Sequence, residues 1–192
     1  MNNSARESIL GSIRTHLAAS PPVDAHPVNP ANPVISSNSD PVNQFKESVE
    51  SVSGHCIVTT DTTDVLKQIL TDLKKERIAY SDDPPNAHDI FGFDVGISTA
   101  QAAIAETGTL ILDSSCERHR LVSLVPPVHI AIVNASAIVE TLGEALTLLQ
   151  QKEISPAITF ITGPSRTADI ELTLAIGVHG PQQLYVIVDG TK

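Results

Sequence analysis

The chain has 192 residues, 41% of them hydrophobic, with 12 Lys and Arg against 22 Asp and Glu for a formal charge of −10. That length suits one domain with an appendage and a sizeable core, while the charge speaks against a nucleic-acid partner, because phosphate binding runs on clustered Lys and Arg. The absence of tryptophan and the 3% aromatic content also exclude a base-stacking platform.

No apolar run approaches the roughly 20 residues of a membrane span. The first residues, Met1-Asn2-Asn3-Ser4-Ala5-Arg6-Glu7, lack the basic-then-apolar pattern of a secretory signal, so a cytoplasmic location is expected. Two cysteines, Cys56 and Cys116, stand far apart and in no CxxC pairing. Iron–sulfur clusters want several closely spaced thiolates and structural zinc wants four ligands. The histidines at 16, 26, 55, 88, 119, 129 and 179 form no HExxH pair. No metal site and no cofactor are therefore expected on this chain.

In chain order, residues 4–19 carry Ile9, Leu10, Ile13 and Leu17 at helical spacing. This N-terminal amphipathic helix (1–19) either packs on its own domain or docks on a partner. Six prolines among Ser, Asn and Asp make residues 20–42 an extended linker. An α/β domain fills 43–192. Its predicted strands are 56–59, 78–80, 95–97, 129–133, 157–162 and 184–188, with helices over 62–76 and 137–151 and a loop over 81–92. Residues 103–106 and 109–112 flank Thr107-Gly108 as a β-hairpin, where glycine accepts positive φ. Strand 157–162, a helix over 166–176 capped by Gly177, and strand 184–188 read as a βαβ crossover between neighbouring parallel strands. The expected fold is α/β, with a mostly parallel sheet and one hairpin.

Ligands of open α/β sheets bind outside the carboxyl ends of the strands. Two segments are expected there: Gly163-Pro164-Ser165-Arg166-Thr167 and Glu106-Thr107-Gly108. The first offers backbone N–H groups at a helix start and a guanidinium, a match for a carboxylate or phosphate. Ordinary capping by Ser165 or Thr167, with Asp169 and Glu171 facing the helix dipole, explains the same residues. Glu106 ends an apolar strand at a glycine turn; it is either the catalytic carboxylate or a hairpin residue facing water. Glu117-Arg118-His119-Arg120 is a local basic cluster in an acidic chain. His129, heading an apolar strand, reads as a satisfied edge histidine. His179 reads as a structural residue at the opposite end of the sheet from the ligand. No GxSxG, P-loop or GxGxxG occurs.

Three stretches, "AAIAETGTLIL", "RHRLVSLVPPVHIAIV" and "FITGPSRTADIELTLAIGVHGP", in this order and spacing, resemble the LUD-domain proteins, and among them the lactate utilization protein C (YkgG-type) family. The resemblance covers about residues 94–188 and implies a fold similar to the ribose-5-phosphate isomerase, glucosamine-6-phosphate deaminase and CoA-transferase superfamily. It also implies a subunit role in oxidising L-lactate to pyruvate, with two iron–sulfur partner proteins carrying the clusters. Glu106, Thr107, Gly108, Arg120, Gly163, Ser165, Arg166, Asp169, Glu171 and His179 lie within its signature stretches. Two other readings remain open: a free-standing acyl-CoA or phosphosugar transferase or isomerase, and a module that binds a small carboxylate.

Overall fold

A computed structural model describes residues 3–19, 40–83, 85–114, 120–151, 155–167, 175–176 and 179–191. The chain divides into two units, Met1–Ile35 and Ser36–Lys192. In the first, α1 (Asn3–Ala19) is the expected helix, with Ile9 and Ile13 exposed. Most of the expected linker lies outside the described residues.

The second unit opens with α2 (Pro41–Ser51), where Asp40 accepts from Val42 N at 3.1 Å and Pro41 supplies a preset first-turn φ. Then come β1 (His55–Thr59), α3 (Thr62–Leu73), β2 (Ile78–Tyr80), β3 (Val95–Ala100), β4 (Ala102–Ile104) and β5 (Thr109–Asp113). After these follow α4 (Leu121–Leu124), β6 (Val128–Asn134), β7 (Ile138–Val139), α5 (Leu142–Gln150), β8 (Ile158–Thr162), β9 (Arg166–Thr167), β10 (Ala175–Ile176) and β11 (Gln183–Asp189). Helix α3 stops short of the expected residue 76 because Lys74 turns left-handed at φ 52. Residues 138–139, expected in a helix, instead pair with Ala103 and Ile104, so α5 starts only after Thr141, whose side chain accepts from Glu144 N.

Five strands form a wholly parallel sheet in the order β1-β11-β6-β3-β2. Both faces are covered, which is why β6 and β11 read as apolar runs rather than alternating ones. Helix α3 lays Val65, Leu66, Ile69 and Leu70 on the face that carries Val95, Ile97, Ile130 and Ile187. The opposite face (Ala131, Val133, Val186, Val188) packs against Phe45 and Val49 of α2 and against Leu110 and Leu112. Those leucines belong to a second sheet, ordered β7-β4-β5-β8, whose far side is closed by Ala145 and Leu149 of α5. The α/β class, the mostly parallel sheet and the β4–β5 hairpin agree with expectation.

Two expectations are overturned. Strand β8 pairs antiparallel with β5, whereas β11 lies between β1 and β6 in the other sheet, so they are not the flanks of one βαβ crossover. No helix runs over 166–176 either: Arg166 pairs with Ile176 and Thr167 with Ala175 in an antiparallel ladder. Ten residues of helix would hold positions 166 and 176 about 15 Å apart, which direct pairing forbids. Residues 168–174, 177 and 178, with Asp169, Glu171 and the proposed Gly177 cap, lie outside the described residues.

Candidate functional site

The second sheet decides where the cleft forms. Thr109 of β5 is opposite Thr162 of β8, so the hairpin tip at 106–108 lies beside the turn that starts at Gly163. Both turns lean on α2. Gly108 has φ +65, and a Cβ there would stand 2.5 Å from Val49 N; Gly163 has φ +72, and its Cβ would stand 2.8 Å from Val52 O. Each position thus combines a left-handed backbone with contact against another backbone, and no side chain meets both demands. Three hydroxyls link the turns, Thr107 to Thr109 and Thr109 to Thr162, each at 2.7 Å.

From this side the 163–166 turn reaches the amino ends of the parallel strands. Ser165 N donates to Pro181 O at 2.8 Å, and Gln182 N donates to Pro127 O at 2.8 Å. The carboxyl end of β8 therefore abuts the beginnings of β6 and β11. Between them opens a cleft of about 470 Å³. Phe160, Ile161, Leu124 and Leu184 give it apolar walls, while Thr159, Thr162 and Ser123 add hydroxyl-bearing residues. Gly163, Pro164, Ser165 and Arg166 line one side, and His179, Gly180 and Pro181 another.

This placement corrects two expectations. The 163–166 turn and its cleft lie at the amino ends of β6 and β11, not at the carboxyl ends of the main sheet, because the strand that delivers the turn belongs to the second sheet. His179, expected at the far end from the ligand, lines the same cleft as Arg166 for that reason. Arg166 Nη2 donates to Val52 O at 3.3 Å and to Ser53 Oγ, tying the turn to the end of α2. Its guanidinium and the His179 ring are exposed to solvent.

Other predicted residues stand elsewhere. Glu106 is exposed and does not line the cleft; its Oε1 accepts from Leu142 N at 2.9 Å, so it caps the start of α5. A carboxylate suits that position, where unpaired N–H groups and the helix dipole converge. Thr107 is exposed at the hairpin tip. Arg120 is exposed and precedes α4, its carbonyl accepting from Ser123 Oγ at 3.0 Å. Only Ser123 and Leu124 of that helix reach the cleft. Thr167 lies on β9. Residues 115–119, with the rest of the basic cluster, are outside the described residues.

One lining residue was misread from sequence. His129 is not at an edge: β6 is the central strand, and the side chain is 0% exposed. Its Nε2 lies 2.7 Å from Ser98 Oγ, while its Nδ1 has no hydrogen-bond partner among the described residues. Burial alone pushes its pKa from 6.5 down to about 4. The sequence signal was a polar residue on the same side of the strand as Ala131 and Val133, in a run apolar on both sides. Cys56 is the reverse case. Burial, with Glu50 adding, pushes its thiol up to about 12, so it is protonated at neutral pH and a poor metal ligand. Among the described residues no three His, Cys, Asp or Glu side chains cluster as metal ligands do. None of the helices among them is long and apolar enough to cross a membrane.

The LUD-domain profile matches residues 81–188, more than half of the chain and every cleft residue but Val52. The chain belongs to the LUD-domain family. It is 41% identical over 101 residues to lactate utilization protein C of Bacillus licheniformis, covering 50% of this chain and 42% of that protein. Against lactate utilization protein C of Bacillus subtilis strain 168 the identity is 42% over 100 residues, covering 49% and 42%. An uncharacterized protein of Neisseria meningitidis serogroup B is 36% identical over 150 residues, covering 74% of this chain and 64% of that one. The chain thus spans between 42% and 64% of the length of these relatives. The crystal structure of a DUF162 family protein from Deinococcus radiodurans superposes with a TM-score of 0.61 at 23% identity, covering 80% of this chain and 99% of that one. That likeness shows that the LUD fold described above is shared.

Proposed function

We propose that this LUD domain serves lactate utilization as a subunit that binds a small carboxylate. The observation that carries the reading is the cleft itself: Gly163, Ser165 and Arg166 from one sheet meet His179 and Pro181 from the approach to the other. An exposed guanidinium at the mouth of a recess with apolar walls suits a compact anion, and Arg binds carboxylates with paired donors. The names of the relatives in two Bacillus species point to lactate, and the resemblance points to oxidation of L-lactate to pyruvate; the polar first residues favour a cytoplasmic setting. On this reading the electrons pass to two iron–sulfur partner proteins; the protonated Cys56 is consistent with clusters held elsewhere.

Calorimetric titration of the chain with L-lactate and pyruvate tests the reading, because an anion held at the Arg166 turn responds to that residue. Arg166→Ala is expected to weaken binding about tenfold, worth roughly 1.4 kcal/mol, while stability falls by only about 1 kcal/mol from the lost bonds to Val52 O and Ser53 Oγ. Unchanged binding in the variant excludes this turn as the anion site. Reconstitution with the two partners tests the rest: lactate-dependent dye reduction is expected only from the combination, and activity from this chain alone overturns the subunit role.

A second reading is favoured by the size of the cleft, which falls in the range of roughly 300–1,000 Å³ that also serves larger ligands. It is an acyl-CoA or phosphosugar transferase or isomerase, the reading that follows if the fold is related to the ribose-5-phosphate isomerase and CoA-transferase superfamily, as the sequence resemblance implies. Tighter binding of sugar phosphates or CoA esters than of lactate decides for it.

A further inference from the structure

We infer that His129 reads the second oxygen of the ligand, which makes the cleft selective for 2-hydroxy and 2-oxo carboxylates over plain carboxylates, with Ser98 as the positioning residue. The inference rests on the carboxylate reading above and names the ligand class more narrowly. His129 lines the cleft, yet its ring is wholly buried. One ring nitrogen is engaged by Ser98 Oγ at 2.7 Å, so Nδ1 is the polar atom the ring has left, and among the described residues none pairs with it. A buried polar atom without a partner is costly, and in native proteins such atoms usually mark a function.

The chemistry of the pair narrows the ligand. Burial keeps the imidazole neutral, so it carries one N–H and one lone pair and offers no charge to a carboxylate. The negative end of the ligand goes to Arg166, and the neutral oxygen goes to Nδ1. Ser98 is itself buried, and its hydroxyl can donate or accept. When Ser98 donates to Nε2, the proton sits on Nδ1, which then donates to a carbonyl oxygen. When Ser98 accepts from Nε2–H, Nδ1 is bare and accepts from a hydroxyl. One hydroxyl rotation and one tautomer change thus fit both members of a 2-hydroxy/2-oxo acid pair with no change of net charge. Register supports the pair: Gly96 faces His129 across the ladder, and Ser98 follows two residues later on the same side of β3.

The test uses the full chain with 15N-labelled histidine, titrated with L-lactate, pyruvate and propionate; the His129 signals are assigned from the spectrum of His129→Gln. Lactate and pyruvate are expected to bind at least about tenfold tighter than propionate, since a site built around a hydrogen bond rejects the analogue lacking it. Pyruvate is expected to move the Nδ1 resonance toward the protonated type and lactate toward the unprotonated type. Ser98→Ala should bind all three but lose the opposed shifts. His129→Gln should bind lactate no better than propionate, and if it does not fold, the wild-type affinities for the three acids still decide. Equal affinity for propionate, or an Nδ1 resonance unmoved at saturation, overturns the inference and leaves the carboxylate reading intact. Failure of all three to bind removes the carboxylate reading, and the inference with it.

Discussion

The two edges of the parallel sheet are built differently. At the carboxyl edge three neighbouring strands end in polar residues that bond to their own turns. Thr59 Oγ1 accepts from Asp61 N, Asn134 Oδ1 from Ser136 N and Oγ, and Asp189 Oδ1 from Thr191 N and Oγ1. At the amino edge a foreign segment arrives from the second sheet, and the meeting leaves a recess lined in part by a buried histidine whose Nδ1 has no partner among the described residues. Self-contained turns finish an edge and occupy its polar groups. An edge completed by another layer keeps groups available for a ligand. The cleft lies at a carboxyl end, where open α/β sheets bind ligands, only with respect to β8, a strand of the second sheet.

The strongest way to break the amino edge is to undock the second sheet from α2. Gly108→Ala is expected to cost on the order of 4 kcal/mol, combining a left-handed residue with overpacking against helix backbone. Urea unfolding checks it, and a loss below about 1 kcal/mol means that α2 yields easily and does not hold the hairpin tip.

The buried histidine gives the amino edge a pH signature of its own, in a range above that of Asp189 at the carboxyl edge, whose carboxyl is held below its ordinary value by its bonds from Thr191. Unfolding exposes His129 to water, where it takes up a proton below about pH 6.5, whereas in the folded chain it stays neutral down to about pH 4. The stability it contributes is therefore complete above pH 6.5 and is lost as pH falls toward 4. At about 1.4 kcal/mol per pH unit the loss amounts to ~3 kcal/mol. Denaturant midpoints measured across this window should fall more steeply for wild type than for His129→Gln, and parallel curves would show that the ring is solvated.

Smaller effects sharpen the contrast. Asn134→Ala removes the two bonds from Ser136 and should cost about 1 kcal/mol by thermal unfolding, with lactate affinity unchanged; altered affinity would bring the carboxyl edge into the site. Glu106→Gln should cost about 0.5 kcal/mol, the scale of a carboxylate at a helix start, and leave binding as in wild type. A tenfold loss of lactate-dependent turnover without loss of stability would restore Glu106 as a catalytic group.

Local readings succeeded where local physics decides. The apolar runs of β6 and β11 are too short to cross a membrane as helices and read as buried strands, and the Thr107-Gly108 hairpin follows from adjacent strands and one glycine. The pattern at 157–162, 166–176 and 184–188 misled because an apolar strand does not state its sheet. "TADIELTLAI" has helical spacing, yet its two ends pair as strands. Glu106 ends an apolar strand at a glycine turn, which in sequence leaves it open as a catalytic carboxylate or a hairpin residue; the partner it has in the fold, the N–H of Leu142, is 36 residues away.

What the sequence determined by itself is the material: an acidic α/β chain of the LUD family, the hairpin, and the two glycines and one arginine of the turns. Each depends on residues next to one another or on a motif legible as text. Only the tertiary structure decided which edge of the sheet is open, that His179 joins Arg166, and that His129 is central and half-satisfied. Those facts depend on the pairing of β8 with β5 and on α2 beneath both glycine turns. Such contacts span tens of residues, and their energy lies in packing and register, which no short window of sequence contains.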